Sequence, residues 1–337
     1  MSCEGFLFFR LALTLSSPAL KSFTSYEEQL ELLRLRGLEI TNEEQALNIL
    51  KLLGYYRISG YYYPLRNTNP VGHPGRQDTF KPGSSLELIA ELTSFDKRLR
   101  MHLLDGLETI EISVRVAIAH RLGKFDPLAH LNPRLLDGRF TRVRAHLNVS
   151  GHQSWIERFH EKLSESKEDF VNHHHKQYGG QIPIWVAIEV WDFGMLSRFF
   201  AGMASRDKNA LAIQFGAHDG GTLTSWLRMF NFVRNVSAHH SRLWNRRNPE
   251  TPVLPPLDRC RSLSQLHTYP DSKSKLFGTV SCLAVILRHI APESTWTFEL
   301  KMLMRTFPVS NLISLADAGF PQDWESTDLW SLKLNKT

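Results

Sequence analysis

The stretch Thr224–Asn245 collects the residue types that could move a proton beside a negatively charged group. It reads Thr-Ser-Trp-Leu-Arg-Met-Phe-Asn-Phe-Val-Arg-Asn-Val-Ser-Ala-His-His-Ser-Arg-Leu-Trp-Asn. Histidine titrates near neutral pH, and arginine is a permanent cation with a fork of donors. Thr224 predicts the start of a helix that runs past His240. Projected at about 100° per residue, such a helix carries Trp226, Met229, Phe230, Val233, Val236 and Trp244 on one side. Arg228, Asn231, Asn235, His239 and Arg242 fall on the other. Asn231, Asn235 and His239 are spaced four apart and stack in one row. His239, among amides and arginines, is the chemical candidate; His240 falls in the apolar stripe and is read as a core histidine. Arg234 lies on the flank, roughly 140° from His239 on an ideal helix. A long side chain, a distorted helix end or a second subunit would have to close that gap.

Other histidines carry less. Arg115 and His120 repeat the Arg-x4-His spacing inside a long apolar pattern, amid Val114, Ile118 and Leu122. A structural or incidental role is expected for them. In His173-His174-His175, neighbouring side chains on a helix point about 100° apart and do not converge on one ion. A solvated helix end accounts for them. The sequence holds no Gly-rich phosphate loop, no His-Glu-x-x-His, no Gly-x-Ser-x-Gly and no internal repeat, which removes most common enzyme classes. No metal ligand set and no cofactor are expected.

The elements that must position Thr224–Asn245 are helical. Ser25-Tyr-Glu-Glu28 and Thr41-Asn-Glu-Glu44 read as capping boxes, opening helices at about 26–36 and 42–53, with Gly37 and Gly54 as stops. The run Gly54-Tyr-Tyr-Arg-Ile-Ser-Gly-Tyr-Tyr-Tyr-Pro64 could stack bases, but packing of a two-helix appendage on the main body is the favoured account. Residues 67–83, with Pro70, Pro74, Pro82 and three glycines, read as an exposed loop. From Ser85 to Leu122 apolar residues recur at three- and four-residue steps: Leu86, Ile89, Leu92, Phe95, Leu99, Leu103, Leu107, Ile110, Val114 and Ala117. This is one long helix or two nearly continuous ones. A charged helix is expected at about 154–177, a central buried helix at 184–203 behind Pro183, and a break at Pro249–Pro256. Helices near 275–290 and 295–305 and a short one at 310–318 complete an all-α chain. No alternating strand pattern of useful length occurs.

Bulk properties set wide bounds. The 337 residues, 42% apolar and 22% charged, suit a globular protein with a sizeable core. A net charge of +6 and a pI near 9.2 suit a polyanionic partner and equally an inert basic surface. Three scattered cysteines support neither a disulfide framework nor a Cys-x2-Cys metal site, and fit a reducing cytoplasm. Phe6–Leu15 is too short to span a bilayer, and its charges do not match a secretory signal. It reads as an extension or an upstream start, and no membrane association is expected. The domain reading is an extension at 1–21, a helical appendage and loop at 22–83, a helical domain at 84–330 and a tail at 331–337.

The segment Arg234-Asn-Val-Ser-Ala-His-His240 followed by Arg242-Leu-Trp-Asn245 resembles the signature of the Abi-like abortive-infection family, the AbiD and AbiF group. Further stretches match in order: Tyr26-Glu-Glu-Gln-Leu with Arg36-Gly-Leu, Gly54-Tyr-Tyr-Arg-Ile-Ser-Gly-Tyr, Phe95-Asp-Lys-Arg-Leu-Arg and Leu107-Glu-Thr-Ile-Glu-Ile-Ser-Val-Arg115. Pro183-Ile-Trp-Val-Ala-Ile-Glu189, Phe193-Gly-Met-Leu-Ser197 and Gly319-Phe-Pro-Gln-Asp-Trp324 follow. The resemblance covers about 22–330. This family is similar to the HEPN superfamily of helical ribonucleases, so it implies a HEPN-like bundle and metal-independent RNA cleavage. The ribose 2′-OH would attack the adjacent phosphorus. His239 would then be acid/base, Arg234 the phosphate contact and Asn235 the orienting amide. Arg228 and Arg242 would bind RNA backbone, and His240, Arg115 and His120 would be auxiliary.

The resemblance also implies a site formed where two motifs meet across a homodimer, and a repressing RNA or protein antitoxin as partner. The function expected is therefore that of a cytoplasmic endoribonuclease of the abortive-infection, phage-defence type. The alternative left open is an RNA-binding protein of the same fold that does not cut, using Arg228, Arg234 and Arg242 on phosphates. Intact Arg234 and His239 argue against a purely structural helical module.

Overall fold

The computed structural model describes residues 20–145 and 148–330, apart from the side chain of His175. Most of the expected 1–21 extension and the tail at 331–337 lie outside the described residues. The architecture is all-α, as expected, with fourteen α-helices among the described residues and one small hairpin.

Helices α1 (Tyr26–Leu35) and α2 (Glu43–Leu53) form where the sequence places them. The Ser25 capping box is present, with the Ser25 hydroxyl accepting from Glu28 and the Glu28 carboxylate accepting from the Ser25 amide. The Thr41 box is not. Asn42 caps α2 instead, and the Thr41 hydroxyl donates to Glu87 at 2.6 Å. Helix α3 (Tyr55–Tyr62) follows Gly54 and packs on α4. Tyr61 and Tyr62 are buried, and Tyr62 meets Phe80 edge-on, so these two rings pack, while Tyr56 and Tyr63 stay exposed. Within the expected loop at 67–83, strands β1 (Arg66–Thr68) and β2 (Arg76–Phe80) pair antiparallel around the Pro70–Gly75 turn. These strands are too short for an alternating pattern, and Asn67 and Arg76 add side-chain hydrogen bonds across them.

Helix α4 (Leu86–Gly123) is a single 38-residue helix, capped where the Ser85 hydroxyl accepts from the Leu88 amide. All ten residues of its predicted apolar stripe are buried. After the short α5 (Gly138–Thr141), the expected charged helix divides into α6 (Gly151–Glu165) and α7 (Asp169–Gln177). The buried segment behind Pro183 divides as well, into α8 (Ile184–Ala187), a 3₁₀ turn, and α9 (Phe193–Gly202). That break comes from Asp192, whose carboxylate caps α9 at the Met195 amide and pairs with Arg158 at 2.7 Å. Helix α10 (Ser205–Gln214), unforeseen from the sequence, leads to α11 (Gly220–Ala238). The chain then runs without helix or strand through the Pro249–Pro256 region, held to α11 by Trp226 and Ser225, and past a 3₁₀ turn at Arg261–Leu263 to α12 (Ser264–Thr268). Helices α13 (Leu276–Ile290) and α14 (Trp296–Met304) match expectation, and only a 3₁₀ turn at Leu315–Ala318 stands for the short last helix. Helix α11 lies against α4, α9 and α10, and its inner face is mostly apolar, with Thr222 and Ser237 the buried polar residues on it among the described residues. No described helix is long and apolar enough to cross a membrane.

Candidate active site

Helix α11 starts four residues before Thr224. The Asp219 carboxylate accepts from the Thr222 amide at 2.7 Å and supplies the cap that Thr224 was expected to give. Trp226, Met229, Phe230, Val233 and Val236 are buried, as the projection requires. Arg228 and Asn235 are exposed and Asn231 partly so, on the opposite face.

The helix does not run past His240. His239 is its last hydrogen-bonded residue, donating from its amide to the Asn235 carbonyl at 2.9 Å. His240 then adopts φ +57°, the one non-glycine residue with positive φ among the described residues. The His240 amide reaches the Ser237 carbonyl and the Ser241 amide reaches the Val236 carbonyl, at 3.1 and 3.0 Å. This pair of crossed bonds is the Schellman stop, built here on histidine where glycine is usual. The reading of His240 as a core residue is therefore corrected: its side chain is exposed because the helix has ended and the stripe no longer continues through it.

Three contacts hold the reversed chain. Arg57 Nη2 donates to the His240 carbonyl at 2.5 Å, and the Arg242 guanidinium donates to the Gly60 carbonyl, both bridging to α3. Asp96 on α4, fully buried, accepts from the amides of Leu243 and Trp244, from the Tyr61 hydroxyl and from Arg100. Trp244, expected on α11, enters the core after the turn instead.

The reversal makes a cleft. Arg228, Asn231, Asn235 and His239 line a cavity of ≈ 390 Å³ together with Arg246 and Glu250. Arg246 returns beside the helix, its guanidinium 5.4 Å from the Phe232 ring centroid. Sequence reasoning missed it, since a helix continued beyond Ala238 would carry it elsewhere. The row of Asn231, Asn235 and His239 is thus present, with Asn235 Nδ2 and Asn231 Oδ1 3.5 Å apart. A histidine at the edge of a cleft with two amides and two arginines can exchange a proton with a bound phosphate ester.

Arg234 does not line this cleft. Its Nη1 lies 3.5 Å from Asn235 Oδ1, and its charge acts on Glu111 of α4. Burial pushes the Glu111 carboxyl up, and Arg115 and then Arg234 oppose that shift. Arg115 pairs with Glu111 at 2.5 Å and donates to the Trp191 carbonyl at 2.6 Å, tying α4 to the segment just before α9. His120 is exposed on a separate groove beside Trp185. Arg242 is half-buried and committed to Gly60, off the cleft; burial lowers its pKa. His174 Nδ1 donates to the Phe170 carbonyl at 2.8 Å near the end of α7, and the His175 side chain lies outside the described residues. No group of three His, Cys, Asp or Glu side chains is arranged to hold a metal among the described residues.

A family model described as Abi-like protein matches residues 48–245, more than half of the chain. The chain belongs to that family, and the match supports the abortive-infection, phage-defence role expected from the sequence. It runs from α2 through α11 and ends at the Trp244-Asn245 segment that Asp96 anchors. The Ser25 box and Gly319–Trp324 lie beyond it. No similar curated protein and no similar solved structure was found.

Proposed function

We propose that this chain is a metal-independent endoribonuclease of the abortive-infection type, of HEPN-like kind, with His239 as the proton-transfer group. The observation that carries the reading is the grouping of His239, Asn235, Asn231, Arg228 and Arg246 around one cleft at the end of α11 in an Abi-like chain. In the reaction, the ribose 2′-oxygen bonds to the adjacent phosphorus and loses its proton to a neutral imidazole. The P–O5′ bond breaks, and the leaving 5′-oxygen takes a proton from an imidazolium. The products are a 2′,3′-cyclic phosphate and a free 5′-hydroxyl. One histidine cannot hold both protonation states at once, so two His239 residues meeting across a homodimer provide the base and the acid. Arg234, outside the cleft of its own chain, then faces the phosphate held by the other.

The test is incubation of the purified protein with total cellular RNA in EDTA, beside His239→Ala. Cleavage that survives chelator, leaves cyclic phosphate or its 3′-phosphate product and is lost in the variant supports the reading. Activity abolished by EDTA and restored by Mg²⁺ overturns it. DNA should resist, having no 2′-hydroxyl. A second reading, RNA binding without cleavage, draws on one observation: Arg234 and His239 do not share a cleft within one chain.

A further inference from the structure

A second cavity, ≈ 510 Å³, opens on the same face of α11 one helical stretch upstream of the His239 cleft. Among the described residues, five cationic side chains line it, Arg139, Arg144, Arg198, Lys208 and Arg228, against one carboxylate, Asp137. Three of them have partners in the fold. Arg139 is held by Asp137 at 3.0 Å, Lys208 donates to the Ala201 carbonyl at 3.0 Å, and Arg198 reaches the Gly151 carbonyl at 3.3 Å. Burial, followed by the neighbouring Arg139 and Arg228, lowers the Lys208 pKa against the pull of Asp137. Cations concentrated in a walled cavity repel one another and raise the local potential for an anion.

The packing beneath this cavity is specific. The Phe140 ring fills the space above Gly202, where a Cβ would lie 2.1 Å from Phe140 Cδ1, and it also covers Gly151. The aromatic wedge locks α5, and with it Arg139, against the ends of α9 and α6. Helix α11 joins the two cavities. Gly221, Thr224 and Arg228 line the basic one, and Arg228, Asn231, Asn235 and His239 line the other. These residues follow three- and four-residue steps, so they form one continuous stripe. From Arg228 to His239 the stripe runs about 16 Å along the helix axis.

Resting on the reading that this chain acts on RNA, we infer that the cavity between Arg139, Arg144, Arg198, Lys208 and Arg228 is a phosphate-binding subsite that holds the strand leading into the His239 cleft. Its ligand is the phosphodiester backbone, read by charge and without base contacts. Arg228 belongs to both cavities and hands the strand from one to the other. A free phosphate shares that chemistry but would not need the stripe.

The experiment uses the full chain carrying His239→Ala, so that no RNA is consumed. Binding of a labelled single-stranded RNA of about 16 nucleotides is titrated over a range of KCl concentrations. It is compared with the same chain carrying Arg144→Glu and Arg198→Glu. Both side chains are exposed, and circular dichroism checks the fold. Lys51→Glu with Lys167→Glu supplies an equal charge change elsewhere. The inference expects affinity to fall on the order of tenfold or more, and the salt slope to drop by about 0.7 for each phosphate that is no longer neutralised. The control pair should do neither. Equal loss in the control pair, or an unchanged slope with Arg144→Glu and Arg198→Glu, overturns it. If inorganic phosphate at millimolar concentration competes as well as RNA does, the subsite binds free phosphate and the backbone assignment falls. Should Arg198→Glu disturb folding, Arg144→Ala alone must still lower the slope. Because only binding is read, the subsite can stand even if the wild-type chain proves unable to cut RNA, and can fall while cleavage stands.

Discussion

Arg57 and His240, 183 residues apart, are joined by a hydrogen bond from the guanidinium to the His240 carbonyl at 2.5 Å. His240 is the residue at positive φ that ends α11, and His239 beside it faces the cleft. The N-terminal helices therefore act on the candidate site by fixing the turn that positions its histidine. The Gly60 carbonyl, which accepts from Arg242, gives the same turn a second tie to α3.

A left-handed residue with a Cβ costs roughly 1–2 kcal/mol, a penalty that glycine avoids. His240→Gly should therefore raise stability, by about 1 kcal/mol after the greater freedom of glycine in the unfolded chain is counted. His240→Val, branched at Cβ, should destabilise. Chemical denaturation of the three chains checks the order. If His240→Gly unfolds more readily than the parent, the exposed imidazole makes a contact worth more than the backbone strain.

Asp96 ties the segment after the turn to the core. Burial is the largest influence on its carboxyl and raises it; Tyr61, Arg100 and the amides of Leu243 and Trp244 all act against that. Every one of these partners donates, so the site is built for a carboxylate. Asp96→Ala should cost about 3–5 kcal/mol, because the Arg100 charge stays buried without its partner. Thermal melts would show it. Asp96→Asn should lose less, keeping one acceptor oxygen, and a variant as stable as the parent would refute the anchoring role.

Much of this region was legible in the sequence because helical spacing is local geometry. Asn231, Asn235 and His239 share a row for that reason, and the buried partners Trp226, Met229 and Val233 follow from the same count. The helix end was not legible. Nothing in Ser237-Ala-His-His-Ser-Arg242 is glycine or proline, and the stop comes from tertiary ties to Arg57 and Asp96, remote in sequence. Every error downstream of it follows: His240 in the core, Trp244 on the helix, Arg246 overlooked. The start was missed differently. Asp219 is a good cap, but Gly220 and Gly221 behind it argue against a helix that tertiary packing nevertheless imposes. The break at Asp192 likewise depends on Arg158 from another helix. The basic cavity could not be read at all, since its cations come from four separate segments.

Stability should fall in mild acid because of His130. Its side chain is fully buried, its two ring nitrogens have no hydrogen-bond partner among the described residues, and Phe159 meets it edge-on. Burial, helped by His152 and His160 and opposed by Asp126, pushes its pKa down to about 4. The folded state thus binds a proton less readily than the unfolded chain, where the value is near 6.5. The stabilisation is complete above about pH 6.5 and is lost as pH falls toward 4, amounting to about 3 kcal/mol for this shift. His152, whose Nε2 donates to the His130 carbonyl, is lowered as well and adds in the same direction. Asp137, held at about 2 by Arg139, loses its contribution only at lower pH. Denaturation midpoints measured from pH 7 to pH 4 should drop steeply in the parent and much less in His130→Leu. Parallel curves would remove His130 as the cause.

The last prediction concerns two chains sharing one site. Within a chain, His239 lines the cleft and Arg234 does not. If cleavage needs both residues at one phosphate, either the Arg234 side chain swings past Asn235, 3.5 Å away, or the Arg234 of a second copy supplies the cation. Two-fold dimers are the commonest oligomers, and a two-fold axis near the end of α11 would bring both His239 residues and both Arg234 residues together. In such a dimer each single variant removes one residue type from both halves, so Arg234→Ala and His239→Ala should each lose about 10²-fold or more in rate. A mixed dimer keeps one arginine and one histidine. Because the proposed step uses two His239 residues, mixing the two inactive proteins should leave activity far below the parent's, and dilution of the parent below its dissociation constant should abolish cleavage. Light scattering on the same samples should report the dimer wherever activity is present. A monomer with full activity independent of dilution would sink the shared site and send the search for a second half-site to Arg115 and His120.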